Sequence, residues 1–270
     1  MQFLIEKFGL IPGWVIASIT IFMRYALFAG IAFTLFYIIR KGQFTRLKIQ
    51  QKFPKTYRII SEVKHSAFTA GIFALIAVGI YFLRQAGYTR IYLDIDQFGW
   101  AYLLFSFIAL TLIHDTYFYW MHRLMHHPKV FPLIHKVHHY SNNPTPWASL
   151  SFHPLEAVLE IGIVPIIILF IPFHPLVLFL FATWSLFWNV LGHLGFELFP
   201  KGFVTHPVFK WFNTSTHHNM HHSKANCNYG LYFNFWDRMM NTNHKHYIPT
   251  FEQIKDRGQK TEVRPQSASF

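Results

Sequence analysis

Three groups of histidines stand close together in the chain: His122-x-x-x-His126, His135-x-x-His138-His139 and His218-x-x-His221-His222. Seventeen of the eighteen histidines fall between His114 and His246, so scatter in a histidine-rich composition does not account for them. Imidazoles gathered this densely ask for a metal ion. Cys227 is the single cysteine, which excludes an intrachain disulfide and a thiolate cluster and leaves nitrogen and oxygen as the donors.

Helical geometry sorts the candidates. Residues four apart share a helix face, so His122 and His126 can present two imidazoles to one ion. Asp115, seven before His122, falls on the same stripe and is a candidate to accept a ligand's free N–H or to bind the metal itself. His114 points about 100 degrees away and reads as a packing residue. His135, His138 and His139 have the i, i+3, i+4 spacing of one helix face. Three donors there and two on the first segment exceed one tetrahedral zinc site. The third cluster contains two overlapping pairs, His217 with His221 and His218 with His222, between which periodicity does not choose. His193, with Asn189 one turn before and Glu197 one turn after, adds a donor. His153, in His153-Pro154-Leu155-Glu156, supports a ligand or caps a helix, and Glu156 lies beside it. His65, His174, His206, His244 and His246 read as structural, and His127 as a helix-end residue.

The elements that must position these side chains are apolar. Hydrophobic residues make up 52% of the 270 and charged residues only 13%, too few to cover a water-facing surface. The expected fold is an all-α integral-membrane helical bundle of about four to five spans, carrying a cytoplasmic histidine-rich metal-binding cap. Expected spans are Ile11 to Ile39, interrupted by Arg24, then Ser66 to Leu83, Phe98 to about Tyr119, Leu155 to Ile171 and Leu176 to Leu198. Pro172, His174 and Pro175 mark a hairpin tip. Arg40 to Lys64 holds eight Lys or Arg against Glu62, which places that loop in the cytoplasm and the N-terminus outside. All three clusters then share the cytoplasmic side. No cleaved signal peptide is expected. The net charge of +12 flanks the apolar stretches and suits anionic headgroups; no motif for nucleic acid accompanies it. One domain is expected, with the catalytic region at about 114–246 and a loosely ordered tail over 252–270.

Eight to ten imidazoles at one membrane face can hold two metal ions with positions to spare. Attack on an unactivated C–H bond of a buried hydrocarbon needs O2 chemistry that zinc does not perform, which favours iron.

The ordered motifs His122-Arg123-x-x-His126, His135-Lys136-Val137-His138-His139, His153-Pro154-Leu155-Glu156, Asn189-x-x-x-His193, His218-x-x-His221-His222-Ser223, Asn228-Tyr229-Gly230 and Trp236-Asp237 resemble the fatty acid hydroxylase and sterol desaturase superfamily. The resemblance covers about Asp115 to Thr242. It implies a membrane-bound non-haem di-iron enzyme that uses O2 and two electrons to hydroxylate or desaturate a lipid, hydroxylation being favoured. It implies two iron ions, with zinc as a substitute, held by His122, His126, His135, His138, His139, His193, His218, His221 and His222. Asn189 stands where some members have a further histidine, leaving Asn189, water or His217 as the tenth ligand. Asn241-Thr242 stands where Gly-Thr is usual, which questions a local turn. No dinucleotide fingerprint or cytochrome domain is visible, so the expected electron donor is a separate ferredoxin, cytochrome or reductase.

Two other classes compete. A metal transporter or storage protein predicts ionisable residues threaded through several spans, and the span interiors are nearly free of them apart from Arg24 and the surroundings of His193. A bis-histidine haem protein leaves the adjacent doublets unused.

Overall fold

In the computed structural model, which describes residues 1–259, the regular elements are helices; extended pairing among the described residues is limited to isolated bridges such as Lys48 with Phe196 and Ile91 with Phe173. In chain order the main helices are α1 (Gln2–Phe8), α2 (Leu10–Phe33), α3 (Thr56–Gln85), α4 (Gly99–Met125), α5 (Pro154–Ile161), α6 (Ile163–Ile167), α7 (Pro175–Gly192), α8 (Ser215–Lys224), α9 (Phe235–Met239) and α10 (Tyr247–Gln259). A π-helical stretch carries α2 on to Ile39.

Four of these, Leu10–Ile39, α3, α4 and α7, are long and apolar enough to cross a membrane. Only 17% to 39% of the most apolar window of each is buried against protein. Their outward apolar faces therefore need hydrocarbon as solvent, and the protein is an integral membrane protein. At one end, Arg84 Nη1 donates to Gln2 Oε1 at 2.9 Å and ties α1 to α3. The polar segments 40–55, 126–153 and 193–259 gather at the other.

The expected span at Leu155 to Ile171 is not one helix. It breaks into α5 and α6 because Pro165 offers no N–H to the preceding turn, while the Tyr117 hydroxyl takes the Leu159 carbonyl at 2.7 Å. Gly162 sits at the break, where a Cβ would lie 2.9 Å from the Val158 carbonyl oxygen. The broken segment still reaches the far end, where the Arg90 amide donates to Ile168 O at 2.7 Å. The expected hairpin tip is present: His174 Nδ1 accepts from the Leu176 amide at 3.1 Å and starts α7.

Two spans are longer than hydropathy suggested. α3 begins ten residues before Ser66, inside the basic loop, because Glu62 is buried there and accepts from Thr145 Oγ1 at 2.5 Å. α4 runs past Tyr119 to Met125 and carries His122 on its last turn. The last span ends earlier, at Gly192 rather than Leu198. The tail expected to be loose from Glu252 is helical as far as Gln259, since Tyr247 and Phe251 bury against Phe203, Val204 and Met220 and Ile254 is also buried. The remainder of that expectation falls outside the described residues.

Candidate metal centre

The nine histidines singled out above meet in two groups. His122, His126, His135, His139 and His221 form one; His138, His193, His218 and His222 form the other; within each, the candidate ligand atoms all lie within 4.8 Å of one another. α4 supplies His122 and, at its C-cap, His126, one turn apart as the spacing demands. Residues 127–137 are successive turns leading into a 3₁₀ turn at His138–Tyr140. The single helix face expected for His135, His138 and His139 is therefore absent: His135 and His139 stay together, and His138 turns to the second group.

α8 resolves the ambiguous third cluster. Thr214 caps its start by accepting from the His217 amide, and Glu197 Oε2 accepts from the Thr216 amide at 2.9 Å. In that register His218 and His222 point to one group and His221, about 100 degrees round, to the other. His217 joins neither; its Nε2 lies 3.4 Å from Asp237 Oδ2. His193, the C-cap of α7, completes the four-ring group.

Second partners fix which nitrogen is free in five of the nine rings. His122 Nδ1–H donates to Tyr229 O at 2.8 Å, His221 to Cys227 O at 2.7 Å and His193 to Asn189 O at 2.7 Å. His138 Nδ1 faces Ser151 O at 3.3 Å, and His135 Nδ1 meets Glu156 Oε1 at 2.6 Å. With Nδ1 protonated, Nε2 carries only a lone pair. Yet Nε2 of His122 and His135 are 3.0 Å apart, and those of His138 and His193 3.3 Å. Two lone pairs do not bond each other, so these contacts call for a cation between them. Nitrogens bound at about 2.1 Å in right-angled to tetrahedral directions would lie about 3.0 to 3.4 Å apart, and the residues present fit that requirement.

Burial, followed by the neighbouring imidazoles, pulls the His139 ring down to about 3. Burial outweighs the hydrogen bond to Asn189 and takes His193 to about 4. His135, His138, His218, His221 and His222 are held well below the ordinary value by the same causes. All are neutral at physiological pH, the form that binds a metal.

The supporting candidates divide. Glu156 contacts a ring of the five-membered group, whereas His153 caps α5, its Nδ1 accepting from the Leu155 amide at 3.3 Å. Asp115 does not reach His122. Seven residues is about 10.5 Å along a helix, and Asp115 instead accepts from the amides of Tyr232 and Phe233 at 2.9 and 3.2 Å. His114 packs beside it, Nδ1 3.2 Å from the Tyr232 hydroxyl. Asn189 lines the small cavity that also meets His138, His193 and His218.

Some contributors escaped the sequence reading. Asp237 accepts from the amides of Tyr229 and Gly230 at 2.9 and 2.7 Å, and so holds the loop whose carbonyls orient His122 and His221. Burial works to raise the Asp237 carboxyl, but His217, Thr242 and the Gly230 amide outweigh it and hold it below the ordinary value. Gly230 is required here, because a Cβ would meet Phe233 O at 2.5 Å. Asn241 takes the left-handed conformation at φ 53°, which asparagine tolerates where glycine is usual. Glu160, one turn after Glu156, lines the small cavity, a spacing the sequence did offer. A second cavity of about 490 Å³, walled mainly by apolar side chains, shares Phe152, Glu160 and Asn189 with the small one and reaches Arg84.

The family model for fatty acid hydroxylase matches residues 107–242, a stretch that holds all nine histidines and the Asp237 loop. The chain belongs to the fatty acid hydroxylase family. Similar proteins include a Delta(7)-sterol 5(6)-desaturase of Gibberella zeae, 31% identical over 78% of this chain and 63% of the relative. Lathosterol oxidase of Rattus norvegicus is 35% identical over 60% of this chain and 53% of the relative, and that of Homo sapiens 31% over 66% and 58%. The chain thus matches between 53% and 63% of the length of these curated relatives. No solved structure matches it. Within this fatty acid hydroxylase family member, the matched region is the part that builds both histidine groups.

Proposed function

We propose that the protein is a membrane-bound, non-haem di-iron oxygenase that hydroxylates or desaturates a lipid with O2 and two electrons from an external donor. The carrying observation is the pair of neutral Nε2 clusters at the end of a long apolar cavity. The five-ring group would hold one iron and the four-ring group the other, with Asn189 beside the latter as a further donor; zinc is a substitute these nitrogens also accept. Two irons there supply O2 activation, the chemistry needed to oxidise an unactivated C–H bond. The chain's own residues do the positioning. Glu156 and the carbonyls of Tyr229, Cys227, Ser151 and Asn189 keep each proton on Nδ1 and each Nε2 turned inward. Phe118 and Phe152 line the small cavity beside the rings and limit water there.

The sterol desaturase and lathosterol oxidase relatives support an oxidised lipid as product, with sterol-like molecules among the candidates. The basic segment 40–64 supports a cytoplasmic histidine end and an outside N-terminus, and a cytoplasmic histidine end would be accessible to a ferredoxin, cytochrome or reductase. The test is to load purified protein with iron, reduce it and supply extracted lipid with isotopically labelled O2. Labelled hydroxylipid identifies hydroxylation; a new double bond without label identifies desaturation. If neither forms while metal flux across vesicles depends on His138 and His221, the oxygenase reading is lost.

A further inference from the structure

Among the described residues, one cation in the membrane interior, Arg24, has no hydrogen-bond or ion-pair partner. Arg24 stands near the middle of the 30-residue span Leu10–Ile39, about 20 Å along the helix from either end. That is too far for the side chain to reach headgroups. Its guanidinium lines the cavity of about 490 Å³ together with Ile21, Phe73, Phe181 and Leu186. Nε is buried without a hydrogen-bond partner, and none of the ion pairs among the described residues involves it. Glu160, the one acid lining that cavity, also faces the histidine chamber. The other cavity arginine, Arg84, is already held by Gln2.

A guanidinium has five donors and no acceptor, and a charge at this depth is costly unless something compensates it. The compensation must come from what fills the cavity. The volume lies within the range of roughly 300–1,000 Å³ common for small-molecule sites. We propose that Arg24 is the counter-charge for a lipid carboxylate: the cavity takes an acidic amphiphile whose carboxylate sits on the guanidinium and whose apolar body extends toward Phe152 and Asn189. A sterol hydroxyl would fill one donor and leave the charge uncompensated. That the bound acid is then oxidised rests on the function proposed above; the binding does not.

The experiment reads binding alone. Wild-type protein in zwitterionic phosphatidylcholine nanodiscs, without O2 and at mildly alkaline pH, is loaded with a fluorescent fatty acid that is displaced by palmitate or by hexadecanol. Palmitate should displace it about tenfold more effectively or better, the size of a charge-assisted hydrogen bond. Arg24→Gln should erase that preference by weakening palmitate alone, and Arg24→Lys should keep most of it. Equal displacement by acid and alcohol in the wild type, equal weakening of both by Arg24→Gln, or no saturable binding of either overturns the proposal. The wild-type comparison needs no variant to fold. Arg24-dependent palmitate binding with no O2-dependent product would uphold this inference and remove the oxygenase reading instead.

Discussion

The adjacent histidines do different jobs, and only the folded chain separates them. Spacing marked the three clusters and the motif resemblance singled out nine rings; the same nine gather, with helix spacing accounting for His122 with His126 and for His218 with His222. How they divide was not legible: the doublets His138-His139 and His221-His222 split between the groups, and the split at His138 depends on the turns over 127–137, which carry no helical period. Asp115 was misread because a shared stripe fixes direction and not distance. The division has a measurable outcome. Either His221→Ala or His222→Ala should lower bound metal from about two toward about one per chain, each emptying a different group. His217→Ala should leave metal content unchanged by elemental analysis. Glu156→Ala, which removes the acceptor of the His135 proton, should weaken metal retention against a chelator by about 10- to 100-fold. Equal metal loss from His217→Ala and His222→Ala would remove the division into groups.

Hydropathy located four helices well because lipid-facing surfaces are apolar all along their length. It failed where polar contacts decide. The early start of α3 depends on Glu62 finding Thr145, and the break after α5 on Tyr117 taking a carbonyl, contacts between residues distant in sequence. The terminal helix was missed for the same reason. Its surface is polar, and three side chains, Tyr247, Phe251 and Ile254, are buried, the first two against Met220 of α8. Phe251→Ala should therefore destabilise the protein by about 3–5 kcal/mol, seen as a lower Tm in detergent. If Tm stayed within error of the wild type, α10 would not support the histidine-bearing helix above it.

At the scale of the whole molecule, one end of the bundle is polar and basic and holds both histidine groups. Its proposed side of the membrane is open to direct labelling. Lys129 is exposed at the histidine end, and Tyr88 is 68% exposed at the other. In intact cells a membrane-impermeant thiol reagent should label Tyr88→Cys and spare Lys129→Cys until the cells are opened; the reverse pattern would invert the topology. The distribution of positive charge is what suggests this orientation from sequence, whereas the cavity came only from packing.

The split doublets also tie the two groups together mechanically. His221 and His222 ride one turn of α8, and His138 and His139 one 3₁₀ turn, so a shift that opens one group moves a ring of the other. Filling either group stiffens two of the segments the second needs, and by thermodynamic linkage the reverse holds equally. Half-filled chains should be scarcer than independent sites would give, so on the proposed di-metal function a shortage of metal would leave fully loaded and empty chains side by side rather than a pool of half-loaded intermediates.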